Sequence, residues 1–247
     1  MSIFLQIILA TFITSSLSLV GGSLLIWKKL LDHKYLPHFV SFAAGVMLTT
    51  AFIDLLPEAI ENSTNHAIYE SVLLGIVVFF FLERFVLWFH HHDDLHGTKP
   101  TAVLILLGDA LHNMFDGAAI AAAFLTNPSL GIVTTIAIAA HEIPHEIADF
   151  TILIHGGMKK TRALYFNFLS ALTAFVGAIS GYFFLSQVEE IRPLFLGFSA
   201  GMFIYIACSD LIPDMHTEFK KQKRWKQSWP FIVGLLVGYT LITTLHH

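Results

Sequence analysis

Apolar residues recur along the chain in runs too long and too continuous for the one-sided helices of a soluble domain. Crossing ~30 Å of hydrocarbon takes about 20 residues of helix. Runs of about that length occupy 3–27, 36–57, 67–89, 101–125, 130–155, 162–186, 193–215 and 228–245. Pro37, Pro193 and Pro230 fall near the starts of three of them, where a missing N–H costs least. Asn127-Pro128-Ser129 reads as a tight turn between the fourth and fifth. No basic residue precedes the first run and its apolar stretch is long, so it is expected to stay as a helix and not to be cleaved as a signal. The pattern predicts an all-α polytopic membrane protein with eight transmembrane helices, residues 1–247 forming one transmembrane domain.

An internal repeat refines that architecture. At a constant offset of 156, residues 37–58 match 193–214 at Pro37/Pro193, Phe39/Phe195, Phe42/Phe198, Ala44/Ala200, Gly45/Gly201, Ala51/Ala207, Asp54/Asp210, Leu55/Leu211 and Pro57/Pro213. The same offset pairs Phe12 with Phe168, Val20 with Val176 and Gly21 with Gly177. Helices five spans apart cross a bilayer in opposite senses, so helices 1–3 and 6–8 are expected to form an inverted repeat around a central pair, 4 and 5. Such repeats serve alternating access to a site between them.

Composition and charge agree. Of 247 residues, 55% are hydrophobic and 13% charged, with a mean hydropathy of +0.68. All of the 14 basic residues except Arg192 fall between spans one and two, three and four, five and six, or seven and eight. By the positive-inside rule those loops are cytoplasmic and both termini face outward. A net charge of −4 gives no footprint for nucleic acid. Cys208, the one cysteine, excludes an internal disulfide and a thiolate-rich metal site.

The polar exceptions to the apolar pattern are concentrated in the central pair. Span four contains GDALHNMFDGAAIA, with His112 and Asp116 four apart on one helix face and Asn113 beside them. Span five contains HEIPHEIAD, in which His141, His145 and Asp149 form an i, i+4, i+8 stripe flanked by Glu142 and Glu146. Ionisable groups inside a bilayer are costly unless paired or metal-bound. Imidazoles and carboxylates at this spacing suit Zn²⁺ or a similar divalent ion. Pro144 removes the N–H that would bond the Ala140 carbonyl, so a kink is expected there.

HNMFDG and HEIPHEIAD resemble the paired signatures of the ZIP (Zrt/Irt-like) family of divalent metal transporters, and the eight-span layout, outward termini and His-bearing loop agree with it. The resemblance implies a binuclear centre: His112, Asp116, His141 and His145 would line one site, with Asn113, Glu142 and Glu146 forming or bridging a second. Ala148 stands where the common family pattern has Gly, before Asp149.

A rival reading comes from His141-Glu142-Ile143-Pro144-His145, which is an HExxH motif and points to an intramembrane zinc metalloprotease. Against it, a protease has no use for the repeat or for a second His/Asn/Asp set one helix away, and Pro144 perturbs the geometry a water-activating Glu needs. A metal-stabilised structural protein is a third class, but the excess of carboxylates favours a site that exchanges its ion. The expected function is therefore transport, not enzymatic catalysis: movement toward the cytoplasm of Zn²⁺ and other divalent ions such as Fe²⁺, Mn²⁺ and Cd²⁺. The expected partners are these ions and the lipid bilayer of a cell membrane, and a homodimer is compatible with the layout.

Weaker candidates are Met47, as a thioether toward the pathway or a core residue; Asn167, as an extension of the polar path or a satisfied interhelical amide; and His90, His91, His92 and His96 in the loop of about 90–100, as a cytoplasmic metal-holding segment. Asp54, Glu58, Asp210 and Asp214 approach helix ends where carboxylates concentrate cations. Only neutral imidazole ligates, so uptake into vesicles is expected to fall as pH drops through ~6.5, unless a proton gradient drives transport.

Overall fold

The computed structural model describes residues 1–28, 36–61, 67–90, 99–155, 158–213, 215–216 and 228–245. Among them there is no strand. The helices are α1 (Ile3–Lys28), α2 (Leu36–Thr49), α3 (Leu56–Glu61), α4 (Ala67–His90), α5 (Lys99–Thr126), α6 (Pro128–His155), α7 (Lys160–Ala171), α8 (Thr173–Gln187), α9 (Arg192–Ile206) and α10 (Ser228–Leu245). A helix satisfies its own backbone groups within the segment, which is why chains this apolar adopt it wherever water is excluded. Each apolar run found in the sequence is helical over its described residues, apart from a single turn residue at Leu172. Four stretches among them are long and apolar enough to cross a membrane: Pro37–Glu61, Lys160–Gln187, Glu189–Leu211 and Ser228–Leu245. The central helices α5 and α6 are not among these, and they carry the ionisable residues.

Two helices depart from α geometry at corresponding places. α2 passes through a π-helical stretch, Thr50–Leu55, before α3, and α9 ends in another, Ala207–Leu211. Each precedes a proline at the equivalent position, Pro57 or Pro213. A proline cannot donate to the turn before it, and a wider turn is one way to absorb that defect. The sixth apolar run is broken at Leu172 into α7 and α8, where the Thr173 hydroxyl reaches the Ala110 carbonyl of α5 at 2.5 Å.

Small residues set the helix spacing. A Cβ on Gly117 would collide with the Ala174 carbonyl, and one on Gly177 with the Met114 carbonyl, so α5 and α8 touch backbone to backbone. α4 and α9 meet in the same way through Gly75 against Phe198 and Gly201 against Val72, as do α2 and α10 through Gly45 against Phe231 and Gly234 against Phe42. Close approach of this kind replaces the hydrophobic drive that lipid removes. α5 and α6 form the centre, with α1, α7 and α8 packed around one part of the pair and α2, α4 and α9 around another. They are joined by the expected tight turn, in which the Ser129 amide donates to Asn127 Oδ1 at 2.9 Å and the Ser129 hydroxyl to the Leu245 carbonyl at 2.7 Å.

α6 continues as one helix through Pro144. Gly117→Val should separate α5 from α8, since only backbone movement relieves the clash. Overpacking costs typically ~1–3 kcal/mol, and thermal unfolding in detergent should fall by several degrees or more, whereas Gly→Val at a loosely packed position should not reproduce the loss.

Candidate metal centre

α5 presents Asp109, His112, Asn113 and Asp116, and α6 presents His141, Glu142, His145, Glu146 and Asp149. Offsets of three, four and seven keep each set on one face. Antiparallel packing through the tight turn brings the two faces together.

The outer group joins His112, Asp116, His141 and Glu142, one ligand atom from each lying within 4.8 Å of the others. Nε2 of His112 and Nε2 of His141 stand 3.2 Å apart. Asp116 Oδ2 lies 3.2 Å from His141 Nε2 and 3.6 Å from His112 Nε2. Glu142 Oε1 lies 3.3 Å from His112 Nε2 and 3.7 Å from His141 Nε2. All four residues are buried. Nδ1 of His141 is 3.1 Å from the Ala137 carbonyl. A carbonyl only accepts, so that nitrogen carries the proton and the Nε2 lone pair is turned toward the group, as a metal ligand requires. Phe79 of α4 meets the edge of His112 at 5.7 Å and Phe203 of α9 that of His141 at 6.0 Å, giving the imidazoles apolar walls. Two carboxylates and two imidazoles converging at a buried point form a donor set suited to a divalent cation.

The inner group joins Asp109, His145 and Asp149. His145 Nδ1 lies 3.9 Å from Asp109 Oδ1 and 4.0 Å from Asp149 Oδ2. The His145 ring stacks on His112 at 4.7 Å with 6° between planes, which connects the two groups. Side-chain exposure rises from 1% at His141 to 26% at His145 and 14% at Asp149, so the cluster opens at its Asp149 end.

This partition differs from the one the resemblance implied. His145 belongs with Asp109 and Asp149 and not with the outer four, and Glu142 belongs with the outer four. Asn113 donates Nδ2 to Asp109 Oδ1 at 2.9 Å, also reaching the Asp109 carbonyl at 3.1 Å. Glu146 engages α7: its Oε2 accepts from Asn167 Nδ2 at 2.6 Å. Asp109 is the residue the sequence reading passed over. It lies seven before Asp116 and four before Asn113, on the face already marked as polar, and that periodicity was the signal.

Of the weaker candidates, Met47 is fully buried in the apolar core. His90 ends α4, while His91, His92, His96 and Asp214 lie outside the described residues.

Asn167→Leu should leave the buried Glu146 carboxyl without its hydrogen-bond donor. An unsatisfied buried polar group costs ~1–3 kcal/mol, more when charged, so the unfolding temperature should drop in detergent, and Asn167→Gln should recover part of the loss.

Comparison with known proteins extends beyond the two signatures. The family described as ZIP Zinc transporter matches residues 4–99 and 89–246. The chain is 35% identical over 149 residues to zinc transporter ZIP6 of Homo sapiens, covering 59% of this chain and 20% of that protein. It is 40% identical over 142 residues to zinc transporter ZIP4 of Mus musculus, covering 58% and 21%. With the metal cation symporter ZIP14 of Bos taurus it shares 38% over 148 residues, covering 58% and 30%. The chain thus spans about a fifth to a third of the length of these relatives, which are named as transporters and not as enzymes. With nearly its whole length matched, the chain belongs to the ZIP zinc transporter family.

Proposed function

We propose that this chain moves Zn²⁺ toward the cytoplasm by alternating access, residues 1–247 acting as one domain with eight membrane crossings. The observation that carries the proposal is the outer group: four buried donor residues from two helices, within 4.8 Å of one another, between the two halves of the molecule. His112, Asp116, His141 and Glu142 would exchange the ion's water shell for nitrogen and oxygen. Asp109, His145 and Asp149 would receive it at the open end, with Asn113 orienting Asp109.

Symmetric packing supports the inverted repeat. Gly75 of α4 packs on the Phe198 carbonyl and the Met202 amide, and Gly234 of α10 packs on the Phe42 carbonyl and the Val46 amide. Phe198 and Met202 are the offset-156 equivalents of Phe42 and Val46. The Ser15 hydroxyl approaches the carbonyl of Ala171, its own equivalent, at 3.4 Å, as residues beside a two-fold axis do. Exposed Leu73, Phe81, Phe183 and Phe184 suit a lipid-facing surface.

The basic residues Lys159, Lys160 and Arg162 follow α6, which by the positive-inside rule supports a cytoplasmic side for its Asp149 end. The partly buried His145 and Asp149 then belong to a state that opens inward. Fe²⁺, Mn²⁺ and Cd²⁺ accept the same nitrogen and oxygen donors, and a broader range of cations agrees with the name metal cation symporter given to one relative.

The test is Zn²⁺ uptake into proteoliposomes with Fe²⁺, Mn²⁺ and Cd²⁺ as competitors. His112→Ala should reduce uptake by at least ~10–100-fold, the effect expected for losing even an outer-shell partner of a bound metal. Glu142→Gln should alter rate or selectivity. Normal uptake by His112→Ala, or peptide cleavage that Glu142→Gln abolishes, would return the protease reading to first place.

A further inference from the structure

Buried threonines in these helices follow a rule with two exceptions. Thr11, Thr14 and Thr49 each donate the side-chain hydroxyl to a carbonyl of their own helix, at 2.9, 2.9 and 3.0 Å. Thr50 and Thr134 are fully buried, and among the described residues neither hydroxyl has a hydrogen-bond partner. Both occur in Thr-Thr pairs, Thr49-Thr50 and Thr134-Thr135, whose other member is satisfied: Thr49 by the Gly45 carbonyl and Thr135 by the Gly131 carbonyl at 2.6 Å. A helical threonine has a carbonyl within reach one turn back. Leaving that bond unmade in an apolar interior costs ~1–3 kcal/mol.

Their places in the fold connect them to the centre. Thr134 precedes His141 by seven residues, two turns along α6 on the same face. Thr50 opens the π-helical stretch Thr50–Leu55, which packs against α6. One turn beyond Thr50, Asp54 lines a cavity of about 280 Å³ together with Glu58, Glu61, Ile53, Pro57, Ile242 and Thr243. That cavity lies at the end of the α2–α3 helix opposite its cytoplasmic start. Thr134 thus shares a face of α6 with the buried His141, and Thr50 lies one turn from the acidic cavity on a stretch packed against α6.

We infer that Thr50 and Thr134 form the outer half of the conduction route, their hydroxyl oxygens replacing water on a divalent cation as it passes from the acidic cavity to the histidine–carboxylate group. The inference rests on the transport reading and deepens it. A neutral hydroxyl is a weak ligand beside imidazole or carboxylate, so it lowers the cost of dehydration along the way without trapping the ion. The hydroxyls act on the rate of entry and not on the affinity of the centre. Both being fully buried fits a state closed on the outer side and open at His145.

The experiment compares the initial rate of Zn²⁺ uptake into proteoliposomes with equilibrium Zn²⁺ binding in detergent, for the full chain. Its variants are Thr50→Val, Thr134→Val, the double substitution, Thr134→Ser and, as control, Thr135→Val. Valine keeps the shape and removes an unsatisfied group, so folding should be unharmed and thermal stability equal or higher. Each single valine variant should slow uptake by about tenfold, corresponding to loss of one hydrogen-bond-strength interaction at a barrier, with Zn²⁺ affinity unchanged within about twofold. Thr134→Ser should restore most of the rate and Thr135→Val should match wild type. A double valine variant that transports at the wild-type rate overturns the route while leaving the transport reading intact. A parallel loss of equilibrium binding also overturns it, since the threonines would then act by disturbing the centre. Wild-type protein that moves no Zn²⁺ in the same vesicles overturns the transport reading and this inference together.

Discussion

Two carboxylates and two imidazoles converge from neighbouring helices in the interior of this protein, with the two Nε2 atoms 3.2 Å apart and Asp116 and Glu142 within 3.7 Å of them. Anions so placed in an apolar interior repel each other and lack water, and the arrangement is stable only with positive charge among them. The rest of the structure can be understood as holding that convergence in place. A pair of helices joined by one residue fixes the relative height of His112 and His141. The Ala137 carbonyl fixes the tautomer of His141, and phenylalanines from α4 and α9 close the sides.

Rigidity of the centre comes from glycine more than from large side chains. Backbone contact of α5 with α8, α4 with α9 and α2 with α10 leaves little room for adjustment within each seam. The two π-helical stretches lie where one seam meets another. Thr50–Leu55 packs on α9, and Ala207–Leu211 packs on α2, so each half of the molecule places its irregular turn against the regular helix of the other. Wide turns of this kind are common at sites of function and add slack that a continuous α-helix lacks. Their carboxylates, Asp54 and Asp210, occupy matching positions at the offset of 156.

Helix positions were legible in the sequence because water exclusion demands long apolar runs and leaves few other ways to satisfy a backbone. The turn at Asn127 was legible from its Asn-Pro-Ser signature. The site was legible as a set of residues, but not as a partition. His145 and Glu142 differ by three positions, less than one helical turn, and which ion position each faces depends on the rotation of α6 against α5. Nothing in HEIPHEIAD alone fixes that rotation, which depends on how α5 and α6 pack against their other neighbours, such as α8 on α5 through Gly117 and Gly177. Asp109 was missed for a related reason: attention to HNMFDG hid the longer i, i+3, i+4, i+7 stripe of which that motif is the second half. Asn167 shows the converse, a residue of α7 whose partner Glu146 lies on another helix and is not signalled by hydropathy. The π-helical stretches were marked only indirectly, by Pro57 and Pro213 at the same offset.

X-ray absorption at the zinc edge on the protein loaded with Zn²⁺, read alongside His112→Ala and His141→Ala, tests the central claim that one ion is shared between α5 and α6. The account predicts a mixed nitrogen and oxygen shell at about 2.0–2.2 Å, containing two imidazoles in the wild type and one in either variant. An unchanged shell in His112→Ala, with zinc held by α6 alone, would contradict it.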